Sequence, residues 1–306
     1  MWWQKNIRAE KKMAKNLEET KSSPKKAAIF SLKLLFTLGA LYIVFSKADL
    51  NQISAYVKSS DILYLFLAFV LLNVGQVISG LRMRFYFGSA GLTLKKGFAV
   101  SLYYVGMLFN LILPGGIGGD GYKAYYFKKH KKFPLKTSIR LIISGRANGL
   151  LLLCFFTLIL AFFSPALKTI PYIVPLIIFG MVVLFPSYSL LDEKLLKNNI
   201  ATQIGASGYS FFVQGSVLIS AMFLLKAIGY EGGVIDYLVL FMISSIVSVI
   251  PISVGGVGLR ELTFFYGASF LKLDPELGVS ISVLYFVVNT LASLAGLVFF
   301  YQIGKK

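Results

Sequence analysis

Leu113-Pro114-Gly115-Gly116-Ile117-Gly118-Gly119-Asp120-Gly121 decides how this chain folds. It cuts short an apolar run, Gly97–Leu113. Proline has no backbone N–H, and glycine loses more entropy in a helix than other residues, so no helix runs through such a stretch. A second stretch, Ile250-Pro251-Ile252-Ser253-Val254-Gly255-Gly256-Val257-Gly258, breaks the apolar run Tyr237–Ile250 in the same way. Gly115-Gly116-Ile117-Gly118 and Gly255-Gly256-Val257-Gly258 match at a shift of 255 less 115, or 140 residues, near half the chain.

Around the breaks the sequence is that of a membrane protein. Of its 306 residues, 57% are hydrophobic and only 14% charged, against about 25% charged in a globular domain. The charges gather in clusters. Ile62–Ser79, Gln203–Leu225, Tyr237–Leu259 and Leu277–Gly304 hold none. A run of about 18 apolar residues is long enough to cross the hydrocarbon core as a helix. Eight apolar segments follow: Ala27–Phe45, Ile62–Gly80, Gly97–Leu113, Leu141–Phe163, Ile170–Tyr188, Gln203–Leu225, Tyr237–Ile250 and Leu277–Tyr301.

Charge decides which of them cross. Residues 1–26 carry eight Lys/Arg against three Glu and have no apolar core of a cleavable signal. They read as a basic cytoplasmic tail beside an anionic leaflet, with Trp2, Trp3, Ile7 and Leu17 on one face of a short interfacial helix or in a disordered segment. Cytoplasmic loops are rich in Lys/Arg. With the N-terminus inside, Arg82, Arg84, Lys95 and Lys96 fall inside after two crossings. A full crossing by Gly97–Leu113 would put the most basic stretch, Lys123 to Lys136, outside. The conflict disappears if Gly97–Tyr126 dips into the membrane and returns. Non-helical backbone at that depth is tolerated where protein buries it or where it lines a cavity.

Treating both breaks as re-entrant hairpins leaves six full spans in two inverted halves, about 27–165 and 166–304, forming one all-α polytopic domain. Both termini are then cytoplasmic, where Lys305 and Lys306 belong. Eight plain spans with kinks are the alternative. Broken segments at matching positions of inverted halves point to a transport site near the midplane.

Polar residues at membrane depth are costly and therefore candidates for function. Arg146 lies several residues inside the fourth segment and needs a carboxylate, a wet cavity or an anionic ligand. Snorkelling to the interface is the bland reading. Asp120 follows the first break, with Lys123 one turn on. It would cap a helix or form a salt bridge to Arg146 or Arg260 that opens during transport. Arg260 and Glu261 follow the second break. Arg260 near a helix N-terminus suits a phosphate, and Glu261 suits the helix dipole. Asn110, like Asn73 and Gln76, suits helix-to-helix hydrogen bonding. Arg82 and Arg84 border the second span. Pro114, Gly115, Gly116, Gly118 and Gly119, with Pro251, Gly255, Gly256 and Gly258, make the backbone breaks.

Other chemistry finds little support. One Cys, Cys154, and one His, His130, leave a metal site almost without ligands. No nucleophile motif or phosphate-binding loop with Lys-Ser/Thr occurs. No enzyme, cofactor or nucleic-acid reading follows. The lysines from Lys128 to Lys132 fit a loop beside anionic lipid.

Leu113-Pro114-Gly115-Gly116-Ile117-Gly118-Gly119-Asp120 with Lys123, Arg146-Ala147-Asn148-Gly149-Leu150, and Pro251 followed by Gly255-Gly256-Val257-Gly258-Leu259-Arg260-Glu261 resemble the flippase-like family. It is also called the lysylphosphatidylglycerol synthase transmembrane region, the membrane half of multiple peptide resistance factor. The resemblance runs from about Ala27 to Tyr301. It departs at Lys123, where an Arg would be expected, and at the inserted Ile252-Ser253-Val254. It implies translocation of an anionic or aminoacylated phospholipid, or of another lipid-linked head group, across the cytoplasmic membrane. The family's soluble domain transfers lysine from lysyl-tRNA to phosphatidylglycerol. The chain stops at Lys306, so no aminoacyl transfer is expected of it. A non-transporting membrane subunit that docks a separate lipid-modifying or glycosyl-transferring enzyme is the second expectation.

Overall fold

The computed structural model describes residues 24–112, 118–250, 252–253 and 256–304. Pro114, Gly115, Gly116, Pro251 and Gly255, the tail through residue 23, and Lys305 and Lys306 lie outside the described residues. All regular structure among the described residues is helical. The helices are α1 (Pro24–Lys47), α2 (Leu50–Lys58), α3 (Ile62–Ser89), α4 (Lys96–Ile112), α5 (Gly118–Lys131), α6 (Leu135–Phe163), α7 (Pro165–Lys168), α8 (Ile173–Leu191), α9 (Ile200–Ala227), α10 (Val234–Ser248), α11 (Leu259–Phe270) and α12 (Pro275–Gly304). A π-helical turn, Asp192–Leu196, extends α8.

Among the described residues, five helices are long and apolar enough to cross a membrane: α3, α6, α8 with its π turn, α9 and α12. A sixth span arises if α1 and α2, bent by 94° at their junction, count as one. Asp49 sets that bend by capping α2, its Oδ1 accepting from the N–H of Asn51 at 2.8 Å. Asp61 caps α3 in the same way, accepting from Leu63 N–H at 2.7 Å. α4 and α10, with 17 and 15 residues, fall short of a bilayer's thickness. The chain is a multi-pass α-helical membrane protein.

Leu176, Phe179 and Val182 of α8 and Leu291, Leu294 and Val298 of α12 are exposed. A water-soluble surface would not carry such continuous apolar faces. The buried core lies at α10, where Tyr237, Phe241 and Met242 pack with Leu224 and Leu225 of α9, Phe264 of α11 and Ile281 of α12. Small residues bring helices close, as is usual where lipid removes the hydrophobic drive to associate. A Cβ at Gly296 of α12 would stand 2.5 Å from the Tyr104 carbonyl oxygen of α4. α3 packs along α9, α4 along α12, and α10 along α6, while α5 rests on α6 and α11 on α12.

The structure revises three local expectations. Gly118 and Gly119 open α5 instead of lying in the break. Gly119 is there for space, since its Cβ would fall 1.7 Å from the Gly106 carbonyl oxygen. The basic stretch is helix rather than loop as far as Lys131, with Lys132 at a left-handed φ of 52° leading out. The loop after the first span holds a helix, α2, because Asp49 caps its first turn.

Candidate functional site

Four helices converge on a polar cavity of about 210 Å³. α3 contributes Ser79, Arg82 and Tyr86; α4 contributes Tyr103 and Asn110; α5 contributes Asp120 and Lys123; α6 contributes Gly145 and Arg146. The first break therefore brings five of the residues singled out from the sequence, Arg82, Asn110, Asp120, Lys123 and Arg146, to one place.

The break also explains their positions. Asp120 stands in the first turn of α5, two residues inside the helix and not at its cap. A carboxylate there favours the helix dipole. The capping falls to Asn110, whose Oδ1 accepts from Gly119 N–H at 2.8 Å and so ties the end of α4 to the start of α5. Asp120 is thus free for cations. Its Oδ1 takes Lys123 Nζ at 2.6 Å, one turn on, and its Oδ2 takes the Nε of Arg146 from α6. Lys123 also lies over the Tyr103 ring at 5.0 Å and is nearly buried. The Arg146 side chain is 43% exposed, against 11% for Asp120, so the arginine faces open space while its partner does not.

Arg82 is held from behind. Its Nη1 donates to Ser210 Oγ of α9 at 2.6 Å, and Ser210 Oγ donates to Asn148 Oδ1 of α6. Asn148 Nδ2 donates in turn to Ser207 Oγ at 2.9 Å and Tyr188 OH at 3.2 Å. Gly149 gives the guanidinium its berth, because a Cβ there would come 3.2 Å from Arg82 Nη1. This network was not singled out from the sequence, though a signal was present. Gln203, Ser207, Ser210 and Gln214 recur every three or four residues, a polar stripe on an otherwise apolar helix. Gln214 Nε2 completes it, donating to the Gly149 carbonyl at 3.1 Å.

Three cations and one carboxylate line the cavity. At membrane depth such an excess is costly unless an anion or water meets it. Asp120, Ile142 and Arg146 also line a second space, a groove of about 810 Å³ between α5 and α6. Its remaining wall is largely apolar, with Ala124, Leu135, Ile139 and Ile143, and Lys128 and Lys129 also border it. The Asp120–Arg146 pair is therefore the partition between a cationic cavity and an apolar groove.

Arg260 and Glu261 stand apart, at the start of α11, and line neither space. Glu261 is engaged at both oxygens, accepting from Gly258 N–H at 2.6 Å and from Ser282 Oγ at 2.7 Å. It closes the helix start onto α12. The Arg260 guanidinium lies 4.3 Å from the Tyr285 ring centre and 5.3 Å from that of Phe241, and its buried Nη1 has no hydrogen-bond partner. Among the described residues, no three His, Cys, Asp or Glu side chains gather to hold a metal ion.

The family described as the lysylphosphatidylglycerol synthase TM region matches residues 30–296. Among curated proteins the chain is similar to phosphatidylglycerol lysyltransferase of Bacillus subtilis (strain 168), at 26% identity over 290 residues. That match takes in 85% of this chain, and the chain spans about a third, 33%, of the relative's length.

Proposed function

We propose that this chain, which belongs to the lysylphosphatidylglycerol synthase transmembrane-region family, moves an anionic or aminoacylated phospholipid across the cytoplasmic membrane. One observation carries the reading: a cavity with more cations than carboxylates opens, past a single ion pair, onto an apolar groove. A phospholipid has the matching division, with a phosphate for the cavity and acyl chains for the groove. Arg146 grips the phosphate through its planar fork, releasing Asp120 to Lys123. The lipid in the relative's name, phosphatidylglycerol, is an anionic lipid of that kind.

The second half takes part in the same reading. α4 with α5, and α10 with α11, are two re-entrant hairpins in inverted halves, and the basic ends of α5 and α6 face the cytoplasm. The packing supports this: exchanging α3 with α9, α4 with α10, α5 with α11 and α6 with α12 turns α4–α12 into α10–α6 and α5–α6 into α11–α12, and leaves α3–α9 as it is. The 140-residue shift carries Asp120 onto Arg260 and Gly145 onto Tyr285. An ion pair fastens the first hairpin to α6 where a cation–ring contact fastens the second to α12. Arg260, with a donor to spare, is the phosphate ligand we propose for the second half, apart from the cavity of the first.

A second reading is a membrane subunit that docks a separate lipid-modifying enzyme. It draws on the basic end of α5, where Lys128, Lys129 and Lys131 stand exposed. Reconstitution decides between them. Proteoliposomes with the purified chain should move fluorescent phosphatidylglycerol between leaflets faster than protein-free vesicles, and faster than phosphatidylcholine. Equal rates with and without protein would leave the docking reading.

A further inference from the structure

A second basic cavity, larger than either space that Arg146 lines, lies elsewhere. It measures about 1060 Å³ and lies where the start of α4, the second half of α5 and the end of α12 meet. Lys95, Lys129, His130 and Lys131 line it, and among the described residues none that lines it is acidic. Aromatic rings lie against two of its three lysines and against its histidine. Lys131 Nζ lies 5.5 Å from the Phe98 ring centre and Lys129 Nζ 5.6 Å from that of Tyr125, while the His130 ring stacks on Tyr126 at 4.5 Å. Phe300 and Ile303, on the last turns of α12, supply an apolar flank. Tyr125 and Lys129 line both this cavity and the groove that leads to Arg146.

A basic pocket between transmembrane helices, with an apolar flank, suits a phosphate head group whose acyl chains remain in the bilayer. A soluble phosphate would leave the apolar flank bare. We propose that this cavity is a second anion site, which takes the phosphate of an anionic phospholipid and hands it past Lys129 to the groove. The order of the two sites rests on the transport reading; the binding of phosphate does not.

A reporter at the cavity wall tests it. The protein carries tryptophan only at Trp2 and Trp3, so Phe300→Trp in a chain with W2F and W3F reads this site alone. The full chain in micelles is titrated with brominated phosphatidylglycerol and with brominated phosphatidylcholine. Quenching should prefer phosphatidylglycerol. In Lys95→Gln/Lys131→Gln that preference should fall by about twenty-five-fold or vanish, about fivefold for the attraction each lysine exerts on an anionic lipid. Lys96→Gln/Lys136→Gln removes the same charge outside the cavity and should keep most of the preference. Excess glycerol-1-phosphate should not abolish it. Equal quenching by both lipids, equal loss in both double variants, or ready displacement by glycerol-1-phosphate would each overturn the site. Arg146→Lys separates the two claims. It should keep the preference at this reporter whatever it does to translocation, and losing the preference there would place the phosphate at Arg146 instead.

Discussion

The Nε of Arg146 donates to Oδ2 of Asp120, joining the middle of α6 to the first turn of α5 where the polar cavity meets the apolar groove. The two groups differ in what surrounds them. Asp120 is enclosed and already holds Lys123, whereas Arg146 looks outward. Such a pair can open by moving the arginine alone, leaving the carboxylate with a partner.

That asymmetry predicts unequal mutants. Asp120→Ala strands the Lys123 ammonium, which is 6% exposed, and should cost about 3–5 kcal/mol of stability. Arg146→Ala leaves Asp120 paired with Lys123 and should cost distinctly less. Thermal unfolding of both proteins in the same detergent checks the order. Asp120→Ala as stable as wild type would mean the carboxylate does not carry the hairpin.

Gly119 predicts a steric limit. Its missing Cβ is where the Gly106 carbonyl oxygen sits, and both atoms belong to backbone that cannot swing aside. Gly119→Ala should push α4 and α5 apart and sharply lower folded yield. Gly121→Ala, two residues on, meets nothing within 4 Å and serves as the control. Size-exclusion profiles of the two proteins should differ; matching profiles would contradict the close approach.

The second break predicts a conformational limit. Gly256 and Gly258 adopt φ of 84° and 86°, where a β-branched residue is strained. Gly256→Val also drives a side chain against Ser248 Cβ, which a Cβ would meet at 3.0 Å. Loss of lipid movement with membrane insertion intact is the expected result. Full activity would reduce this break to a linker.

Topology predicts which side the basic helix ends face. In a His130→Cys protein with Cys154 replaced, an impermeant maleimide applied to whole cells should leave position 130 unlabelled. It should label that position after permeabilisation. Labelling of intact cells would put α5 on the outer side and end the hairpin reading.

Much of this architecture was legible because lipid imposes simple rules. The eight apolar segments reappear as α1, α3, α4, α6, α8, α9, α10 and α12, within a few residues at most ends. Runs without charge must be helical in a bilayer, whatever their propensity. Asn110 and Arg146 stood out as polar within apolar runs, Asp120 and Lys123 as following the first break, and Arg82 as bordering the second span, and all five share one cavity. What escaped was partnership. Periodicity could flag Gln203, Ser207, Ser210 and Gln214, but not that Ser210 would hold Arg82 across two helices. The short helix α2 escaped because its start depends on a hydrogen bond to Asp49, which composition does not register.

The central claim is that Arg146 grips a lipid phosphate and does not merely brace α5. Lysine at that position keeps the charge and its attraction to Asp120 but loses the planar, two-toothed grip. The decisive measurement is phosphatidylglycerol translocation in proteoliposomes by Arg146→Lys, with thermal stability determined on the same preparation. The account predicts a folded protein of near wild-type stability that has lost most lipid movement. Normal translocation by Arg146→Lys, or a loss that follows unfolding, would contradict it.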